Sequence, residues 1–172
     1  MKISSHFFGC LLLALFAMLF LVSCPKKSST VPNAWIYLKG RKISLRDKFN
    51  VLDKRYNFSV CPDCYDPDMR IGYYFTMPNP HPDSDASSCT LWVIYDHWTH
   101  KILSINVSYL FWRKITQKDL KQLSKEVYFD KFKKLTKPFS KTRGGAHYAI
   151  KVDNGSYGVF PTVEYTLTWM DN

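Results

Sequence analysis

Residues able to do chemistry gather in one stretch of this chain. Cys61-Pro62-Asp63-Cys64 sets two thiols three positions apart, and Cys89 follows beyond a proline-rich segment. Between Val60 and Asp85, the aspartates Asp63, Asp66, Asp68, Asp83 and Asp85 stand against Arg70 alone. A redox-active pair of this spacing works by opening a helix, whose N-terminus lowers the pKa of the first thiol. Pro67 stands where the second turn of such a helix would run, and proline breaks a helix interior. The nearby aspartates raise a thiol pKa, the wrong direction for a reactive thiolate. The residues therefore point to one structural disulfide, from Cys89 to Cys64 or Cys61, with one thiol left over. A Cys61–Cys64 bridge is the other arrangement, and it tends to be strained. Closing a loop of this size contributes about 3–4 kcal/mol in the chain-entropy model.

Other chemistries need patterns that the chain lacks. Cys61 and Cys64 have the spacing of half a zinc site, but Cys89, His81, His97 and His100 provide no second half of recognisable spacing. The aspartates lack an EF-hand spacing and read as turn formers. No serine or cysteine sits in a Gly-x-Ser-x-Gly context, and no glycine-rich phosphate loop occurs. No catalytic residue, metal or cofactor is expected, so the chain reads as a binding protein rather than an enzyme. A thiol–disulfide or other enzyme using Cys61 and Cys64 is the alternative. His97 and His100 flank Trp98 in a hairpin loop, an exposed turn that would also suit a binding tip.

The elements that must position these residues follow from periodicity. Ala34–Lys39 reads as a strand ending at Gly40. Ser44 and Asp47 have the spacing of a capping box, and Leu45, Phe49, Leu52 and Tyr56 recur on one helical face. The stretch from Val60 to Asp85 reads as irregular, with one short strand around Ile71–Thr76. Thr90–Asp96 and Ile102–Trp112 make a hairpin. In its second strand Leu103, Ile105, Val107, Tyr109 and Phe111 alternate with Ser104, Asn106 and Ser108. A second helix is capped by Thr116 and Asp119, with Leu120, Leu123, Val127, Tyr128, Phe132 and Leu135 as its buried stripe, and Pro138 closes it. Ala146–Val152 and Tyr157–Met170 make a final hairpin turned by Asp153-Asn154-Gly155-Ser156. Burying one stripe per helix and one face per strand gives an α+β fold: an antiparallel sheet of five or six strands with two helices packed on one face. The opposite face then shows Ser104, Asn106, Ser108, Thr162, Glu164, Thr166 and Thr168. That flat, hydrogen-bonding surface is the expected partner-binding face. The basic stretch from Lys114 to Arg143 is a second surface, suited to steering an acidic partner.

Ahead of these elements, Phe7 to Val22 carries no charge, and Lys2 is the only charged residue before it. A positive start, an apolar run and a small residue describe a secretory signal peptide, and the run is shorter than the ~20 residues of a spanning helix. Leu21-Val22-Ser23-Cys24 resembles the lipobox of bacterial lipoproteins: aliphatic, small or aliphatic, small, cysteine. The resemblance implies that a diacylglyceryl group joins the Cys24 thiol, that the chain is cut after Ser23 and that the new N-terminus is acylated. One acyl chain binds a bilayer marginally, whereas several hold it stably, at ~0.8 kcal/mol per buried CH₂. Pro25, rather than Asp, after the cysteine implies the outer membrane by the rule of enteric bacteria. The expected organisation is a signal peptide over 1–23, a tether over 24–33 reaching at most ~36 Å, and one α+β domain over 34–172. Removing 1–23 takes away Lys2 alone, so the formal charge falls from +10 to +9.

An exported basic chain meets anionic headgroups, peptidoglycan acids or an acidic protein, and nucleic acid is not an expected partner there. The expectation is a lipid-anchored, non-catalytic envelope protein, held to the membrane through Cys24, that binds a protein partner. An immunity protein against a periplasmic toxin and an envelope-assembly accessory both fit the size and the lack of catalytic chemistry. A glycan-binding lipoprotein is the remaining alternative.

Overall fold

The computed structural model describes residues 30–66, 70–78, 86–96, 98–155 and 160–170, and the side chains of those outside 60–87. The lipobox, Cys24 and nearly all of the tether lie outside these residues, as do the side chains of Cys61 and Cys64. The strands are β1 (Trp35–Leu38), β2 (Arg41–Ser44), β3 (Ser59–Asp66), β4 (Arg70–Pro78), β5 (Ala86–Asp96), β6 (Ile102–Phe111), β7 (Val127–Phe129), β8 (Phe139–Arg143), β9 (Ala146–Asp153) and β10 (Thr162–Trp169); the helices are α1 (Phe49–Tyr56) and α2 (Gln117–Glu126).

The fold is α+β. Its main layer is an antiparallel sheet in the order β3-β4-β5-β6-β10-β9-β8. A five-stranded antiparallel sheet, β5 to β8 in that order, fits the expectation, although β8 is a strand beyond those expected and β1, expected in this sheet, belongs to the second one; β3 and β4 continue the main sheet at one edge. Period-two alternation buries one face: Leu91, Val93, Ile105, Val107, Val163 and Leu167 are all fully enclosed. Against that face lie both helices and a second antiparallel sheet, β2-β1-β7. Phe49 of α1 stacks on Tyr95 at 3.9 Å between ring centroids, and Phe129 of β7 meets Tyr148 edge-on at 5.4 Å. Each fully buried large apolar side chain contributes roughly 1.5–3 kcal/mol, and these contacts join the two layers.

Several local expectations give way to tertiary pairing. Ser44 ends β2 instead of capping a helix. Its capping chemistry survives as a turn: the Ser44 N–H donates to Asp47 Oδ2 at 2.8 Å, and the Arg46 N–H donates to Ser44 Oγ at 3.1 Å. Helix α1 starts after Lys48, which provides no side-chain cap. The Phe49 N–H donates instead to the His100 carbonyl at 3.0 Å, so a neighbouring hairpin satisfies the helix end.

Helix α2 has the expected capping box of Thr116 and Asp119, but it stops at Glu126. The β-branched and aromatic run Val127-Tyr128-Phe129 then pairs with β1, burying Val127 and Phe129 on one side. In β6 the enclosed residue near the start is Ile102 rather than Leu103, because the register with β5 shifts beside Ile94 and Tyr95. Strand β8 lies in the stretch read as a basic surface. It turns back into β9 through Gly144 and Gly145, whose φ values of +60° and +75° suit glycine. Strand β3 replaces the irregular reading, β4 contains and extends the short strand expected around Ile71–Thr76, and the ladder between them breaks from Val60 to Tyr65, around Pro62.

Candidate partner-binding face

The outer face of the main sheet is built by register. Facing residues on antiparallel strands share a side of the sheet. One row runs Trp92, Asn106, Thr166, Ala149, Ser140 across β5, β6, β10, β9 and β8. The next runs Ile94, Ser104, Thr168, His147, Thr142. A third runs Thr90, Ser108, Glu164, Lys151. Six of the seven residues expected on this face, from Ser104, Asn106 and Ser108 to Glu164, Thr166 and Thr168, thus fall in three adjacent rows. Thr162 continues the same face opposite Leu110 and Asp153.

The side chains hold one another in place. Asn106 Nδ2 donates to Thr166 Oγ1 at 2.8 Å, and the hydroxyls of Ser104 and Thr168 share a hydrogen bond of 2.9 Å. Each bond spans two strands, so the donors and acceptors are fixed in a flat array before any partner arrives. All seven expected residues are half-buried, leaving part of each group open to a ligand.

The structure adds a group that the sequence reading did not place here. His147 sits between Thr142 and Ser140, with Nδ1 3.1 Å from Thr142 Oγ1 and Nε2 3.4 Å from Ser140 Oγ. A serine beside a histidine invites a nucleophile reading. The histidine's other nitrogen, however, meets a hydroxyl, whereas a triad base is oriented by a carboxylate. The Ser140 bond is also long for an activated hydroxyl. The trio extends the hydrogen-bonding array over β8 and β9. Its signal in the sequence was alternation within Ser140-Lys141-Thr142, visible only once β8 is known to be a strand.

Cys89 lies on the opposite, enclosed face, across from Tyr109. Its thiol is free among the described residues. The bridge expected for it needs Cys64 or Cys61, whose side chains lie outside the described residues. Burial pushes the Cys89 thiol up to about 11, which leaves it protonated and inert.

Trp98, in the expected binding tip, is 69% exposed at the β5–β6 turn. The turn itself is fixed by Asp96, whose Oδ1 accepts from the Thr99 N–H at 2.7 Å and the Thr99 hydroxyl at 2.8 Å. These bonds hold the Asp96 carboxyl below its ordinary value. At the far end of β6, exposed Trp112 meets exposed Phe160 edge-on at 4.7 Å. Among the described residues, no group of three His, Cys, Asp or Glu side chains is placed to hold a metal ion. No protein-family model, curated protein or solved structure matches this chain.

Proposed function

We propose that this chain is a lipid-anchored, non-catalytic protein of the bacterial envelope that binds a protein partner through the outer face of its main sheet. The anchor rests on the lipobox resemblance at Leu21-Val22-Ser23-Cys24. The binding face rests on one observation: hydroxyl, amide and imidazole groups stand in register over four strands, tied by bonds such as Asn106 to Thr166 and Ser104 to Thr168. Five strands about 4.8 Å apart and eight residues long cover roughly 600 Å². That approaches the ~800 Å² per partner of a standard interface. A toxin neutralised in the periplasm and a subunit of an envelope assembly are the partner classes this reading favours.

The test is crosslinking in intact cells followed by purification from membranes, with the native chain, Asn106→Arg and Thr166→Arg. A discrete protein captured by the native chain and lost with both variants is the expected result. Equal capture by all three chains, with unfolding curves unchanged, would move the partner to another surface. No reproducible partner from membranes of any growth condition would overturn the reading.

A further inference from the structure

The second sheet turns its own outer face away from the core, and that face is aromatic and cationic. Lys42 of β2 faces Tyr37 of β1, and Tyr37 faces Tyr128 of β7, so the three form one row across the sheet. Their neighbours Ile36, Leu38, Val127 and Phe129 are enclosed, which sets this row on the outside. Tyr37 stacks on Tyr128 at 4.8 Å, and Lys42 Nζ sits 3.8 Å above the Trp35 ring.

A groove opens at each end of the row. The first, about 700 Å³, includes Lys42 with Arg41, Arg46 and Arg55; among the described residues its one acidic lining residue is Asp47, which already accepts the Ser44 N–H. The second, about 470 Å³, includes Tyr128 with Lys121, Lys125, Lys133 and Lys134, and no acid lines it among the described residues. Eight cations are thus divided between two concave sites that one aromatic row connects. The chain enters the fold at the first groove: Asn33 lines it, and Arg46 Nε donates to the Val31 carbonyl at 3.2 Å.

We infer that this face docks on an anionic bilayer surface, with phosphodiester headgroups in the two grooves and Trp35, Tyr37 and Tyr128 at headgroup level. The inference rests on the lipid-anchor reading above, since only a lipid on Cys24 brings the bilayer within tether reach. Asn33 lies nine positions after Cys24, at most ~32 Å of chain. Lysine and arginine beside an anionic leaflet are attracted to it, and Trp and Tyr favour the interface itself. A bilayer accounts for both grooves together, because headgroups repeat along a plane, whereas a single small anion fills one. The hydrogen-bonding face of the main sheet then points away from the membrane, open to a partner.

The test is lysine acylation footprinting of the full chain as recovered from expressing cells. The mass of the Cys24 peptide is read first and decides the anchor by itself. The footprint is then compared in vesicles of phosphatidylcholine alone and of phosphatidylcholine with phosphatidylglycerol, three to one. A chain without lipid is added to the same vesicles from solution, so the face is tested either way. The expected result is several-fold slower acylation of Lys42, Lys121, Lys125 and Lys133 with phosphatidylglycerol, and an unchanged rate at exposed Lys151 on the other sheet. The double variant Lys121→Glu/Lys125→Glu should return Lys133 to its phosphatidylcholine rate. Equal rates in both vesicles, or slowing at Lys151 instead, would overturn the inference. So would slowing by inorganic phosphate without vesicles, which marks a free-anion site, or by soluble polyglutamate but not vesicles, which marks an acidic protein partner.

Discussion

Replacing Asp119 by alanine removes the acid that fastens the start of α2, the helix that carries Lys121 and Lys125. Asp119 Oδ2 accepts from the Thr116 N–H and hydroxyl, both at 2.7 Å, and Arg113 reaches its two oxygens at 2.8 and 3.0 Å. Burial works against ionisation of Asp119, but the hydrogen bonds from Arg113 and Thr116 prevail and lower its carboxyl from 3.8 to about 2. At 1.36 kcal/mol per pKa unit this is roughly 2.4 kcal/mol. Asp119 is 7% exposed but Arg113 is 42% exposed, so solvent screening reduces the figure to about 1–2 kcal/mol. The neutral acid can still accept the Thr116 N–H, and losing that bond costs about 1 kcal/mol more. Asp119→Ala should therefore be about 2–3 kcal/mol less stable than the native chain near neutral pH.

The sign of the pH dependence follows from a folded-state pKa below the unfolded one. The carboxylate's contribution is complete above about pH 4, where the unfolded chain is also ionised, and is lost as the pH falls toward about 2. Urea unfolding followed by tryptophan fluorescence should show the gap between native chain and variant shrink by about 1 kcal/mol, roughly two thirds of the carboxylate's contribution, from pH 6 to about pH 2.5. A gap that stays constant over that range would show that Asp119 acts by packing alone, and the reasoning from its charge would fail.

Three further outcomes are expected. Phe49→Ala removes a ring that is 5% exposed and stacked on Tyr95; it should cost about 3–5 kcal/mol in urea unfolding, and a loss below about 1 kcal/mol would mean that α1 does not anchor on the main sheet. Cys89, enclosed and protonated, should resist iodoacetamide in the native chain and label fully in denaturant, as read by peptide mass; fast native labelling would contradict its burial. Gly145→Ala places a side chain at φ +75° with Pro32 Cβ 3.7 Å away, so the penalty is backbone strain, about 1–2 kcal/mol by denaturant unfolding.

Much of this protein is written in local pattern. The alternation from Ile105 to Phe111 and from Val163 to Leu167 marks β6 and β10 and assigns each residue a face, because successive side chains on a strand point to opposite sides. Thr116 and Asp119 fix the start of α2 through bonds only three residues apart. The polar set from Ser104 to Thr168 could be named in advance for the same reason. Other features were decided by partners far along the chain. Val127-Tyr128-Phe129 would continue a helical stripe, yet β1 offers it a ladder of hydrogen bonds and an enclosed face, and helix propensity is too weak to compete. Ser44 and Asp47 carry a helix-start signal, but the pairing of Ser44 with Trp35 takes that residue into β2. The cationic face joins Arg41 and Lys42 to Lys121 and Lys125 through the Lys42–Tyr37–Tyr128 row, and no periodicity within either segment announces it. Local sequence determines which side of an element a residue takes; only non-local strand pairing determines which elements lie side by side, because the hydrogen bonds that join them are made between backbones and carry no side-chain code.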